Sequence, residues 1–197
     1  MSTIPLEHVS NEGALRQPTR GVIGMASLIT AESSIFTIFV VAYLYYLGRD
    51  VQGPTPKILE VPIFYTVCLL SSSLFIYLAE HAIEHAKMAA FRLWWSVTIL
   101  LGAIFLYGTA MEWKKLITVD HLTIHTNLFG TTYYSLVGLH ASHVVVGLLM
   151  MLVVAILSFT KALQPRHAYN VKVLAMYWHF VDAVWVVVFT VVYVVGR

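Results

Sequence analysis

Hydrophobic positions along this chain fall into five long runs, and charged residues separate one run from the next. Each run is long enough for the roughly 20 apolar residues that a helix needs to cross a bilayer. The pattern therefore predicts an all-α integral membrane bundle. Its five spans are expected at about residues 22–47, 62–84, 93–112, 133–159 and 173–195.

The segments outside these spans are polar. Residues 121–132 carry histidine, asparagine and threonine and are predicted to form a loop at the membrane surface. Residues 1–20 hold four charged side chains and lack the basic-then-apolar order of a cleaved signal peptide. We expect a polar N-terminal segment at residues 1–20 and one transmembrane domain at residues 21–197.

Composition supports a bilayer as the solvent. The 197 residues are 59% hydrophobic and only 11% charged, which is unlike a water-soluble domain of this size. The net charge of +2 is dispersed, so no basic tract for nucleic acid is present. Cys68 is the single cysteine, which excludes an internal disulfide and a cysteine-based metal cluster.

Lysine and arginine are distributed unevenly between the two sides of the predicted bundle. Seven fall on the side of the N-terminus and five on the opposite side. Because cytoplasmic loops carry an excess of these residues, the count predicts a cytoplasmic N-terminus in a bacterial inner membrane.

The fifth span contains a polar and aromatic stripe. Trp178, Asp182 and Trp185 follow one another at spacings of four and three, and His179 lies three residues before Asp182. A carboxylate and an imidazole are costly in hydrocarbon. We therefore expect this face to pack against protein, with the two tryptophans as packing or lipid-cleft residues.

Estimated depth places the intramembrane polar residues in two layers. At 1.5 Å of rise per residue, Glu32 lies about 15 Å from the inner surface, and His179 and Asp182 about 9–14 Å from it. The outer layer is formed by Glu112, which closes span three, and by two histidines about 10–15 Å below the outer surface, His140 and His143. Pairing of acid with base within each layer is the expected arrangement.

Glu32 has two interpretations that the sequence leaves open. It could serve as a proton-relay or lipid-headgroup site, or as a hydrogen-bonded acid that ties span one to its neighbours. Small and hydroxyl-bearing neighbours such as Ser33 and Ser34 allow close helix contact and offer partners.

A second polar cluster lies at the inner end of span two. The run from His81 to His85 places two histidines four residues apart with Glu84 beside the second, as in zinc hydrolases. The cluster also contains Glu80. We favour an interfacial charged helix end over a zinc site, since no further ligand follows downstream.

Haem and other metal ligation are not predicted for this chain. One haem shared between span four and span five would need His140 or His143 at the depth of His179, and the estimate places them in opposite halves. Each layer of carboxylate and imidazole groups offers only two or three possible metal ligands. We therefore favour structural pairs of these groups over a metal site.

Five motifs in order resemble subunit III of the haem-copper terminal oxidases. The resemblance runs from about residue 21 to residue 197. Its motifs are Ala31-Glu32, Glu80-His81, Glu112-Trp113, Gly-x-His-x-x-His-Val-x-x-Gly at 138–147, and Trp-His-Phe-Val-Asp-x-Val-Trp at 178–185. The chain looks like the five-helix bacterial form, and Thr109 stands where the family often has glutamine.

The resemblance implies a subunit that carries no haem or copper itself. Such a subunit packs beside oxidase subunit I, in a complex that also contains subunit II and can belong to a larger respiratory supercomplex. It holds phospholipids in a cleft between helices and supports proton uptake by an enzyme that reduces oxygen to water. Two alternatives stay open at this point: a related subunit associated with nitric oxide reductase, and a stand-alone proton-coupled transporter. Neither the electron donor, cytochrome c or quinol, nor the haem type of the partner can be read from these residues.

Overall fold

The structure is a computed structural model, and it describes residues 20–49 and 53–196. Its long helices are α1 (Arg20–Tyr46), α2 (Ile63–Glu84), α3 (Met88–Thr118), α4 (Leu128–Phe159) and α5 (Ala168–Phe189). Short 3-10 helices at Pro56–Ile58 and Pro165–His167 precede α2 and α5, and a π-helix at Thr190–Val195 continues α5. The N-terminal segment predicted at residues 1–20 lies outside the described residues except for Arg20.

Five helices in the described part of the chain are long and apolar enough to cross a membrane. This confirms the predicted membrane bundle of five helices. We call the side on which α1 begins the inner side and the opposite one the outer side.

Three helices extend beyond their predicted spans. α5 begins at Ala168, five residues before its predicted start. α3 runs from Met88 to Thr118, whereas the apolar run predicted residues 93–112. Lysines at positions 114 and 115 end the apolar run but not the helix, because charged side chains are tolerated in a helix that leaves the hydrocarbon.

α4 begins at Leu128, five residues before its predicted start. Asn127 caps it by accepting a hydrogen bond from the backbone N–H of Gly130 at 2.8 Å. The threonines after the cap donate to carbonyl oxygens of the same first turn. These polar residues thus start a helix, and only residues 119–127 form the outer connection.

α5 lies at the centre of the bundle, where it packs against α1, α2 and α4. α3 completes the bundle by packing against α2 and α4. In the most apolar stretch of the fifth span, 44% of the residues are buried. In the corresponding stretch of α1, only 6% are buried. Most of the surface of α1 is therefore open to lipid or to another protein.

The connection before α2 is held to the outer end of α3. Lys115 donates a hydrogen bond to the exposed carboxylate of Glu60. This contact lowers the pKa of the Glu60 carboxyl, and the positive charge of Lys115 acts in the same direction.

Candidate functional site in the membrane interior

Glu32 of α1 contacts His143 of α4 near the middle of the membrane. The distance between Glu32 Oε2 and His143 Nε2 is 3.2 Å. The predicted pairing was wrong, because Glu32 was expected with His179 and Asp182, and His143 with Glu112. Since α4 starts five residues earlier than predicted, His143 lies about 22 Å from the outer end of its helix, at a depth close to that of Glu32.

The hydrogen bonds of His143 fix the proton count of this pair. His143 Nδ1 lies 2.8 Å from the carbonyl oxygen of Leu139, and a carbonyl only accepts, so Nδ1 carries a hydrogen. A hydrogen bond between His143 Nε2 and Glu32 Oε2 then requires one further hydrogen, because a bare imidazole nitrogen and a carboxylate oxygen both only accept. This hydrogen resides either on the imidazole or on the carboxyl group, and in both cases the pair has no net charge.

The pair is positioned by surrounding aromatic side chains. The ring of Phe36 lies 5.0 Å from the ring of His143, one helical turn along α1 from Glu32. Tyr177 of α5 donates a hydrogen bond to the carbonyl oxygen of His143 at 3.2 Å. Glu32 and His143 remain 24% and 14% exposed, so the pair lies at the edge of the bundle and not in its core.

A second polar cluster joins α2 to α5. Ser73 donates a hydrogen bond to Asp182 Oδ2 and lies 3.2 Å from His179 Nδ1. Because the serine hydrogen points to the carboxylate, the imidazole is the donor to the serine oxygen, which gives the order His179, Ser73, Asp182. Asp182 Oδ1 is buried and has no hydrogen-bond partner among the described residues.

The two tryptophans of the predicted stripe lie on the same seam. Trp178 donates its indole N–H to Ser72 at 2.8 Å, and Trp185 donates to Thr66 at 3.2 Å. Trp178, Asp182 and Trp185 are 0%, 3% and 1% exposed, which confirms that this face packs against protein.

Glu112 pairs with a tyrosine and not with a histidine. Its carboxylate oxygens accept from the hydroxyl of Tyr193 at 2.9 and 3.0 Å. The hydroxyl of Tyr133 lies 3.4 Å from that of Tyr193. The expected contact of Glu112 with His140 and His143 was wrong.

His140 is fully buried among aromatic rings. Its imidazole stacks on the indole of Trp185 with ring centroids 4.9 Å apart. The edges of Phe36 and Phe105 surround it. Neither ring nitrogen has a hydrogen-bond partner among the described residues.

The cluster at the inner end of α2 lies apart from these groups. His81, Glu84 and His85 are exposed, and Glu80 is partly buried. Glu84 Oε1 lies 3.9 Å from the ammonium nitrogen of Lys172 on α5. The described residues contain no group of three or more histidine, cysteine or carboxylate side chains arranged to hold a metal ion.

Sequence reasoning missed the hydroxyl groups that complete these clusters. The triplet Ser71-Ser72-Ser73 and Tyr193 lie in otherwise apolar helices. A hydroxyl group buried in hydrocarbon needs a partner, so these positions could have been recognised as hydrogen-bonding sites.

Comparison with known proteins gives a consistent result. Residues 19–197 match the family described as cytochrome c oxidase subunit III. The chain is 32% identical to cytochrome c oxidase subunit 3 of Thermostichus vulcanus over 96% of this chain and 94% of the relative. It is 36% identical to cytochrome c oxidase subunit 3 of Bacillus subtilis over 88% of this chain and 86% of the relative. It is also 27% identical to quinol oxidase subunit 3 of Bacillus spizizenii over 99% of this chain and 94% of the relative.

Proposed function

This chain belongs to the cytochrome c oxidase subunit III family of the haem-copper terminal oxidases, and from that membership we propose that it is an accessory subunit without a redox centre. In this role it stabilises subunit I, holds phospholipids and supports proton uptake. The observation that carries the proposal is the pairing of three intramembrane acids with polar side chains of neighbouring helices. Glu32 bonds His143, Asp182 bonds Ser73, and Glu112 bonds Tyr193.

These pairings favour a structural role over redox chemistry by this chain. A haem or copper site needs imidazole or thiolate ligands that converge on one point. In the described residues, His143 is bonded to a carboxylate and His179 to a hydroxyl group. His140 has no such partner, but the described residues place no group of three or more possible metal ligands together. We therefore assign the haems and copper of the complex to the partner subunits.

The exposed surface of α1 supports docking to subunit I. Its hydroxyl-bearing residues Thr30, Ser33, Ser34 and Thr37 each donate to the carbonyl four residues earlier in the helix. With their hydrogens satisfied, these small side chains allow another helix to approach closely.

A groove between α1 and α5 supports lipid binding. It has a volume of about 300 Å³ and is lined mainly by apolar side chains, including Phe36, Val40, Phe180 and Val184. An apolar groove open to the bilayer suits an acyl chain. Phospholipid is thus the proposed occupant.

The shared proton of Glu32 and His143 supports a role in proton uptake. It is held between two titratable groups near the middle of the membrane and close to the open surface of α1. The proposed role is to hold a proton beside subunit I, in a bacterial inner membrane with the N-terminus cytoplasmic. Relatives named for cytochrome c and for quinol are both similar to the chain, so the electron donor is assigned to the partner subunits.

Purification of the tagged chain from its native membrane tests this function. We expect a complex with haem absorbance that consumes oxygen, from which dissociation of this chain removes no haem or copper. Loss of haem or copper in proportion to the dissociated chain would refute the absence of a redox centre. A colourless chain that purifies alone and transports a solute would instead support the transporter.

A further inference from the structure

The end of α2 presents two exposed histidines, His81 in its last turn and His85 directly after the helix. His81 and His85 are four residues apart, and their ring centroids are separated by 4.1 Å. Both residues are exposed at the end of the helix. Two imidazoles at this spacing can bind the same metal ion.

The hydrogen bonds of His85 leave one of its ring nitrogens ready for ligation. Its Nδ1 lies 2.8 Å from the carbonyl oxygen of His81, and since a carbonyl only accepts, Nδ1 is the donor. In the neutral imidazole, Nε2 therefore carries the free lone pair. Histidines that bind metals commonly donate their second nitrogen in this way, which orients the ring and fixes the tautomer.

The surroundings of the pair contain both acidic and basic side chains. Glu80 and Glu84 lie on the same last two turns of α2, and Glu84 is 3.9 Å from the ammonium group of Lys172. The ring of His81 makes no hydrogen bond or ion pair within the described part of the chain, apart from its contact with His85. Both imidazoles are accordingly available to a ligand from solution.

We infer that His81 and His85 form a binding site for a divalent transition-metal ion such as Zn²⁺, Ni²⁺ or Cu²⁺. Imidazole ligands favour these ions over Mg²⁺ and Ca²⁺. Water fills the remaining coordination positions, because the described residues bring no third ligand to the pair. The site is thus exchangeable, in contrast to the closed site of a zinc hydrolase.

Metal binding would also stabilise the end of α2. The carbonyl oxygen of His81 accepts from the backbone N–H of His85 at 3.3 Å as well as from its side chain. An ion held by both imidazoles joins the same two residues and opposes fraying of this turn. The inference does not depend on the proposed oxidase function.

Calorimetric titration with Zn²⁺ tests the site. The purified full-length chain, alone in detergent or in its complex and washed with a mild chelator to remove loosely bound metal, would be compared with His81→Gln, His85→Gln and, as a control, His125→Gln in the connection between α3 and α4. Each of the first two changes should lower the affinity of this site by roughly tenfold or more, while His125→Gln leaves it unchanged. Electron paramagnetic resonance of the chain with added Cu²⁺ should show two coupled nitrogens, and one in either variant.

Three results would overturn the inference. The first is that no Zn²⁺ binds to the unmodified chain. The second is equal affinity in all four proteins, and the third is an affinity that depends on only one of the two histidines. The titration tests the metal site, whereas haem content and oxygen consumption of the complex test the oxidase function. Failure of one can therefore be distinguished from failure of the other.

Discussion

Replacing Glu32 and replacing His143 should affect their contact differently. Removal of the imidazole leaves a partly buried carboxyl group without a partner. Replacement of the carboxyl by an amide keeps a hydrogen bond, because the amide N–H donates to His143 Nε2. Leaving a buried polar group without a partner costs more free energy than exchanging one hydrogen bond for another.

We predict that Glu32→Gln keeps the stability of the complex but slows its proton uptake. His143→Leu should lower the stability by about 1–3 kcal/mol, because it leaves Glu32 unpaired. Thermal unfolding in detergent measures the first quantity, and a pH indicator during a single turnover measures the second. Glu60→Gln, at an exposed acid of the connection before α2, is the control and should change neither, because the amide oxygen still accepts from Lys115. Equal destabilisation by Glu32→Gln and His143→Leu would contradict this account of the pair.

A second prediction is that substitution of Asp182 affects the assembly of the complex more than its turnover. Asp182→Leu removes the acceptor of Ser73 and should lower the yield of the complex, at a cost of about 1–3 kcal/mol. Asp182→Asn retains an oxygen that accepts from Ser73 and should give a nearly normal yield. Native gels measure assembly, and oxygen consumption per assembled complex measures turnover. Unchanged yield together with lost turnover would reverse the structural assignment of Asp182.

At the residue scale, the sequence predicted which side chains need partners but not which partners they find. Burial of Trp178, Asp182 and Trp185 followed from their helical spacing and is confirmed. The partner of Glu32 was predicted incorrectly, because a shift of five residues in the start of α4 moves His143 by about 7 Å. Ser73 and Tyr193 were overlooked because their hydroxyl groups do not interrupt an apolar run.

At the scale of elements, charge positions located every long helix but not the helix ends. Apolar runs end where the hydrocarbon ends, whereas α3 and α4 continue into the polar surface layer. The start of α4 depends on the cap formed by Asn127, a local interaction that hydrophobicity does not record. The π-helix that follows α5 was likewise not predicted.

Close packing of helices around Trp178 leads to a prediction for two glycines. A Cβ atom at Gly102 of α3 or at Gly147 of α4 would lie 2.9 Å from the indole of Trp178. Because this ring is held on both sides and bonded to Ser72, it has little room to move. Gly102→Ala and Gly147→Ala should each destabilise the bundle by about 1–3 kcal/mol, as measured by thermal unfolding in detergent.

Gly24 of α1 is the matched control for these substitutions. A Cβ atom at Gly24 would have no atom within 4 Å. Gly24→Ala should therefore be neutral, or stabilising by up to about 1 kcal/mol through helix propensity. If all three alanine variants behave alike, contact with Trp178 is not what requires glycine at positions 102 and 147.

At the scale of the whole molecule, the bundle is asymmetric. α5 is enclosed by its neighbours, while α1 is attached at one side through contacts with α4 and α5. The groove between α1 and α5 and the Glu32–His143 pair both lie at this attachment. A molecule bound in the groove would therefore contact the least supported helix of the bundle.

Filling this groove should displace a bound lipid. Ala183 of α5 lines the groove, and Ala183→Phe places an aromatic ring in its volume of about 300 Å³. We expect the variant complex to retain fewer phospholipids in native mass spectrometry. If α1 then loses the proposed acyl chain from its contact with α5, activity should begin at the normal rate but decline faster during turnover. Val153→Phe, on the exposed side of α4, adds the same ring away from the groove and should leave both measurements unchanged. Equal lipid content in the Ala183→Phe and unmodified complexes would place the lipid elsewhere and remove the basis for assigning the groove to an acyl chain.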